Sequence, residues 1–240
     1  MIYTKSYVTR WHDTDAERRV RITQMLVYMQ ETSNAHLEDC GISLDRLRDE
    51  KHLAFILSKI RMKIYAPLYA FENIEVQTWT CKGHGLSIPR FYRILRDGEL
   101  IADADTVWAL VDVDTKRLVS EDALSGIYDF ENENTVPLDL PLRFKLPKDK
   151  SVSSIGTRRI VYSDLDYNRH MNNTKYPDML CDFIPATDVG RIRGVFLSYL
   201  GEAAFGDTLD VRHLFSEKTH YFRTVNQDGK VCLEAELILE

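Results

Sequence analysis

Two stretches of this chain, "DTDAERRVRITQML" (residues 13–26) and "DLDYNRHMNNTKYP" (residues 164–177), open alike and then part company. Each carries D-x-D and then, several residues on, the start of a helix. Matching segments follow both in the same order, which marks an internal repeat. "AFILSKIRMKIYAPLYAFENIEV" (54–76) alternates with Ile60, Met62 and Ile64 on one face and ends in "FENIEV". "VFLSYLGEAAFGDTLDV" (195–211) alternates with Val195, Leu197 and Tyr199 and ends in "GDTLDV". Finally "RFYRILRDGELIADADTVWAL" (90–110) matches "YFRTVNQDGKVCLEAELILE" (221–240). Both read as strand pairs closed at Asp97-Gly98 and Asp228-Gly229, residues that tolerate the positive φ of a tight hairpin.

Each half therefore reads as a strand, a long helix and an antiparallel meander. In the first, Thr23 is the expected N-cap, Leu26, Met29, Ser33, Leu37 and Cys40 recur at helical spacing, and Gly41 supplies the stop. In the second, Pro177 is tolerated only within the first helical turn, where no intrahelical N–H bond is lost. Residues 125–155 hold three of the seven prolines without a clear period and read as an extended surface linker. The expected organisation is an N-terminal unit (1–124), this linker and a C-terminal unit (156–240). Antiparallel sheet with one helix per unit is the α+β class.

Composition narrows the function classes. The 240 residues are 44% hydrophobic and 28% charged, enough to bury a sizeable core. No run of about 18 apolar residues is present to span a membrane, and "MIYTKSYVTRW" alternates like a strand and lacks a signal core. Four cysteines (Cys40, Cys81, Cys181, Cys232) lie far apart with no CxxC pair, the usage expected of a reduced, cytoplasmic protein. A net charge of −6 argues against general nucleic-acid binding. His12, His36, His52, His84, His213 and His220 show no metal-ligand spacing, so neither a metal nor a cofactor is expected. "GLSIP" (85–89) lacks the second glycine of a G-x-S-x-G elbow, and no glycine-rich phosphate loop occurs.

What remains is the crowding of Asp164, Asp166, Asn168, His170, Asn172 and Asn173 ahead of an apolar run. Asp and Asn cap helices by accepting hydrogen bonds from first-turn N–H groups. One or two such residues meet that need. Asp164 reads as a turn or cap residue; the others read as a site.

These residues carry a resemblance. "DLDYNRHMNNTKY" resembles the D-x-N-x-H-x-N-N-x-x-Y signature of the acyl-acyl carrier protein thioesterases, and "LSYLGEAAFGDTL" resembles the segment that supplies their catalytic glutamate. "EVQTWTCKGHGLSIPRFYRILRDGELIADADTVWALVDVDTKRLV" is similar to their N-terminal meander. The likeness implies a tandem double hot-dog fold, each unit a helix wrapped by an antiparallel sheet. It implies hydrolysis of the thioester joining a fatty acyl chain to acyl carrier protein, ending chain elongation. By motif position Asp166, Asn168, His170 and Glu202 would be catalytic, with Asn172 and Asn173 opening the helix beside the substrate. Some family members carry cysteine directly after the glutamate; here Ala203 stands there, so a thiol nucleophile is not expected.

That set suits the chemistry. Thioester hydrolysis needs preorganised donors for the developing oxyanion and a base for the attacking water. Asn168 and the backbone at Asn172–Asn173 offer donors, with the helix dipole behind them. Glu202 is the expected base, His170 the proton donor to the leaving thiolate, and Asp166 the group that orients them.

The repeat supplies an internal control. It sets Glu17 opposite Asn168, Arg19 opposite His170 and Pro67 opposite Glu202, so the first unit keeps the pattern without the chemistry. One site per chain is expected, in the C-terminal unit. The N-terminal unit is then free to hold the acyl chain, with Met25, Met29 and Thr32 as candidates for the tunnel floor. Two rivals stand: an acyl-CoA thioesterase of the same fold, and a non-catalytic acyl-binding protein. Arg143, Lys145, Lys148, Lys150, Arg158 and Arg159 form a basic stretch suited to an acidic carrier protein, and exposed edge strands leave a homodimer open.

Overall fold

The computed structural model describes residues 1–83, 85–128 and 132–240. His84 and residues 129–131 of the expected linker lie outside the described residues. The first half holds strand β1 (Tyr3–Val8), helices α1 (Ile22–Asp39) and α2 (Leu44–Lys51), then β2 (Leu53–Ile64), β3 (Asn73–Thr80), β4 (Ile88–Arg96), β5 (Glu99–Asp112) and the short β6 (Leu118–Val119). The second holds β7 (Ser153–Arg159), helices α3 (Tyr176–Cys181) and α4 (Ala186–Val189), then β8 (Ile192–Tyr199), β9 (Thr208–Ser216), β10 (Thr219–Val225) and β11 (Val231–Leu239).

The strands form one antiparallel sheet in the order β1-β3-β4-β5-β2-β8-β11-β10-β9-β7, with β6 added beside β5. Read from its two ends, the order is the same: β7 repeats β1, β9 repeats β3, β10 repeats β4, β11 repeats β5 and β8 repeats β2. The halves join at the β2–β8 pair, where Ile60 lies opposite Leu197 and Met62 opposite Val195. These alternating apolar residues face the helices and are buried, because period-2 alternation puts one set of side chains on one face of a strand.

Helix α1 packs Met25, Leu26 and Met29 onto that inner face. Its end follows the sequence. Gly41 (φ 77°) donates to Glu38 O at 2.8 Å and Ile42 donates to Leu37 O at 3.0 Å, a Schellman stop. Its start does not: Arg21 occupies the N-cap and makes no side-chain capping bond. Thr23 lies inside the first turn, where its hydroxyl accepts the Asp178 N–H at 3.1 Å and ties α1 to α3.

The second unit corrects the expectation of a long helix in each half. Pro177 does sit in the first turn of α3, but that helix spans only six residues. Pro185 stands just before α4, which spans four. Pro177 is confined to the first turn of α3 and Pro185 stands at the start of α4, so the two short helices do not reach the 18-residue continuity of α1. The hairpins differ as well. Asp97 (φ 50°) and Gly98 (φ 81°) close β4–β5 as a two-residue turn. The β10–β11 connection is longer: Asn226 accepts the N–H groups of Asp228 and Lys230 on its side chain, and only Gly229 takes positive φ.

The connecting segment crosses the outer face of the sheet. The Trp79 indole donates to Asn134 O at 2.7 Å, Arg61 to Leu140 O at 3.1 Å, and the Lys145 N–H to Glu236 at 3.2 Å. Gly194 makes room for this crossing, since a Cβ there would come within 2.7 Å of the Leu140 side chain. No helix among the described residues is long and apolar enough to cross a membrane.

Candidate active site

The D-x-D loop folds identically in the two halves. In the second, the Asp166 carboxylate accepts the Asn168 N–H at 2.8 Å and the His170 N–H at 3.4 Å, and the Asp166 N–H donates to His170 O at 2.9 Å. Arg169 takes φ 65° at the tip. In the first, Asp15 accepts from Glu17 at 2.8 Å and Arg19 at 2.9 Å, donates to Arg19 O at 2.7 Å, and Arg18 takes φ 65°. Met171 then donates to Ala203 O and Val20 to Leu68 O, each at 2.8 Å. Ala203 thus corresponds to Leu68, which sets Glu202 against Pro67, His170 against Arg19 and Asn168 against Glu17. Asp164 and Asp13 are the buried caps of the two copies: Asp164 accepts the Val161 N–H at 2.9 Å and pairs with Arg158 at 2.8 Å, as Asp13 does with Arg10.

Only the second copy presents reactive groups. His170 Nε2 lies 3.4 Å from Glu202 Oε2, longer than a usual N–H···O bond and close enough for a charge pair. The imidazole is half-buried and the carboxylate open to solvent, so water reaches the pair. Behind them the chemistry is quiet. Ala203 is buried, and Cys232, whose thiol burial pushes up, donates to the Glu202 backbone oxygen at 3.5 Å. Asn172 is spent on the backbone, its Oδ1 accepting the Thr174 N–H at 2.9 Å and hydroxyl at 2.8 Å. Asn173 O accepts the Tyr199 hydroxyl at 2.8 Å, a partly buried side chain whose phenol desolvation holds well above its ordinary pKa.

Beside this loop opens a cavity of about 460 Å³, within the range of small-molecule sites. One wall is the loop itself, through Asp166, Asn168, Asn172 and Asn173; the others are the N-terminal unit's α1, α2 and sheet. On α1 the wall is Gln30, Ser33, Asn34 and Leu37, spaced i, i+3, i+4, i+7, with Glu31 beside them. Met25, Met29 and Thr32, the residues expected at the tunnel floor, lie on another face of that helix. Met29 and Thr32 are buried away from this cavity, Thr32 bonded to the Tyr7 hydroxyl at 3.0 Å. Met25 instead lines a smaller cavity of about 290 Å³ beside Glu17 and Arg19, on the first copy of the loop.

Two cavity residues lie outside the motifs of the sequence. Arg90 is buried, donates to Thr78 Oγ1 at 3.0 Å and lies 5.5 Å from the Tyr128 ring centre, with burial lowering its pKa. Its signal was present: Ile88, Arg90, Tyr92 and Ile94 alternate inward on β4, and a charge in such a row is unusual. Arg48, on α2, donates to Asn168 Oδ1 at 2.7 Å across the seam between the units. No sequence spacing connects those two.

A duplicated antiparallel sheet clasping a central helix, with the 166–173 loop at the seam, defines a tandem hot-dog protein. The acyl-ACP thioesterase N-terminal domain family matches residues 1–126 and the C-terminal domain family matches residues 147–236; the chain belongs to the acyl-ACP thioesterase family. It is 25% identical over 229 residues to oleoyl-acyl carrier protein thioesterase 2, chloroplastic, of Arabidopsis thaliana, covering 87% of this chain and 61% of that protein's length. Its fold is similar to that of an acyl-ACP thioesterase from Bacteroides thetaiotaomicron (TM-score 0.88, 24% identity, 100% of this chain and 98% of that one). The 12:0-ACP thioesterase from Umbellularia californica is also similar (TM-score 0.85, 17% identity, 100% and 97%).

Proposed function

We propose that this chain hydrolyses fatty acyl-acyl carrier protein, releasing free fatty acid and carrier protein and so ending chain elongation. The observation that carries the reading is the pair of loops built on one hydrogen-bond pattern, of which the second alone sets an imidazole 3.4 Å from a carboxylate, His170 to Glu202, and lines the larger cavity with the Asn168 amide. The acyl chain enters the cavity in the N-terminal unit, and the thioester carbonyl rests against the 166–173 loop. Glu202 draws a proton from water as the water oxygen adds to the carbonyl carbon. The Asn168 amide N–H groups and the backbone at Asn173 receive the oxyanion. The proton Glu202 took passes to His170, 3.4 Å away, and His170 gives a proton to the leaving thiolate as the C–S bond breaks, so both groups end as they began. Asp166 holds Asn168 and His170 by their backbones. Asp15 does the same for Glu17 and Arg19, so this is a device of the fold recruited for positioning.

Carrier protein rather than CoA is the donor in this reading, which family membership supports. The basic stretch expected to meet it is partly committed, Arg158 to Asp164 and Lys150 to Ser216. That leaves Arg143, Lys145, Lys148 and Arg159 for an acidic partner. A reduced cytoplasmic setting suits four free cysteines. The test is turnover against matched acyl carrier protein and acyl-CoA thioesters of several chain lengths. Higher kcat/KM on the carrier-protein series supports the reading; preference for CoA at every length overturns the choice of donor.

A further inference from the structure

Asn168 can stabilise an oxyanion only if its N–H groups, and not its carbonyl, face the substrate. An isolated amide on an exposed loop has no reason to choose, because the two orientations differ by a half-turn about its last torsion. The choice here is made from outside the loop. Arg48 Nη1 donates to Asn168 Oδ1 at 2.7 Å. A guanidinium has donors and no acceptor, so the atom it meets must be the amide oxygen. The amide nitrogen is thereby turned the other way. Arg48 is itself gripped: its guanidinium carbon lies 5.1 Å from the ring centre of Tyr167, the residue before Asn168. Both Arg48 and Asn168 line the larger cavity. In the first copy of the loop Ala16 and Glu17 hold the corresponding places, offering neither the ring nor the amide.

We infer that Arg48, contributed by α2 of the N-terminal unit, is a positioning residue for hydrolysis: it fixes the Asn168 amide with its N–H groups toward the thioester and polarises them. A charge-assisted bond to the carbonyl oxygen draws electrons from the amide nitrogen and makes its hydrogens better donors. The proposal rests on the reading of Asn168 as an oxyanion donor. It also makes the two units interdependent: the reactive loop of one is aimed by a helix of the other.

The experiment is a double-mutant cycle on the full chain, with Arg48→Ala, Asn168→Ala and both together, measured as kcat and KM on an acyl carrier protein thioester. Loss of one oxyanion donor costs about a hundredfold or more in kcat, and loss of its orientation a fraction of that, about tenfold. Arg48→Ala should lower kcat about tenfold with KM unchanged, and Arg48→Lys should recover part of it, since an ammonium can still donate to Oδ1. In the Asn168→Ala background, removing Arg48 should cost nothing more. Equal losses from Arg48→Ala in both backgrounds, or wild-type kcat for that variant, would overturn the inference while leaving the reading of the site intact. Wild-type kcat for Asn168→Ala and for His170→Ala would instead overturn the reading of the site, and the inference with it. Arg48 and Asn168 are both solvent-accessible and create no core cavity when truncated, so matched thermal melts confirm that folding is not the cause.

Discussion

Asp15 and Asp166 make the same bonds in the two copies of one loop, and truncating each separates architecture from chemistry. Each carboxylate accepts two backbone N–H groups, at 2.8 and 2.9 Å for Asp15 and at 2.8 and 3.4 Å for Asp166. Hydrogen bonds to charged groups contribute about 1.5–3 kcal/mol when the partner is buried. Both loops are half-open to water, which replaces part of what is lost, so about 2 kcal/mol per loop is expected. For a chain of this length that is a fall of about 4–8 °C in Tm. Asp15 also pairs with Arg19 at 3.5 Å, so its loss should be the equal or the larger. The catalytic effects should diverge. In Asp166→Ala the backbones of Asn168 and His170 lose their tether, and a displacement of about 1 Å at reacting groups costs about a hundredfold. Single-turnover hydrolysis, measured well below both transitions, should fall about that much for Asp166→Ala. It should stay within about twofold of wild type for Asp15→Ala, since the groups that loop displaces take no part in the reaction. Equal loss of hydrolysis in the two variants, or none in Asp166→Ala despite the lowered Tm, would refute the reasoning.

Other perturbations probe neighbouring parts of the site. Glu202→Gln should reduce hydrolysis by at least about a hundredfold with little change in Tm, because the side chain is exposed and only its basicity is lost. Cys40, Cys81, Cys181 and Cys232, replaced singly by Ala or Ser, should each leave turnover substantially intact; Cys181 in particular is pushed up to about 12 by burial and is no nucleophile at neutral pH. Ala54 lines the larger cavity, so Ala54→Phe should shift preference toward shorter acyl chains across a length series, and an unchanged profile would place the chain elsewhere. His213, pushed down to about 4 by burial, meets His220 at 2.9 Å, and His220 meets Asp188 at 3.2 Å. It stays neutral in the fold while the unfolded chain binds a proton, so stability should fall as pH drops from about 6.5 toward 4. His213→Phe should flatten that slope in a pH series of thermal melts.

The repeat was the most legible feature because it is written in local chemistry. Asp-x-Asp caps, alternating strands and a glycine helix stop are short-range signals; the mirrored strand order is visible only in the fold. The second unit's helix is shorter than the repeat implies; Pro177 is confined to its first turn and Pro185 opens the next helix, and both act by geometry. On α1 the apolar repeat marked the face against the sheet, and Met29 duly lies in the core. The cavity lies along another stripe, where Gln30 and Asn34 look like ordinary solvent-facing polar residues until α2 and the 166–173 loop enclose them. Arg48 was illegible for the same reason. It stands 120 positions from Asn168, and only the folding of one half against the other brings them together.

Single-turnover hydrolysis of an acyl carrier protein thioester by wild type, Arg19→Ala and His170→Ala, each shown folded by thermal melt, tests the central claim most directly. Free fatty acid and carrier-protein thiol should appear together with wild type and with Arg19→Ala at similar rates, and at least about a hundredfold more slowly with His170→Ala. Hydrolysis by His170→Ala at the wild-type rate, or its loss in Arg19→Ala, would place the chemistry outside the C-terminal loop and contradict the claim.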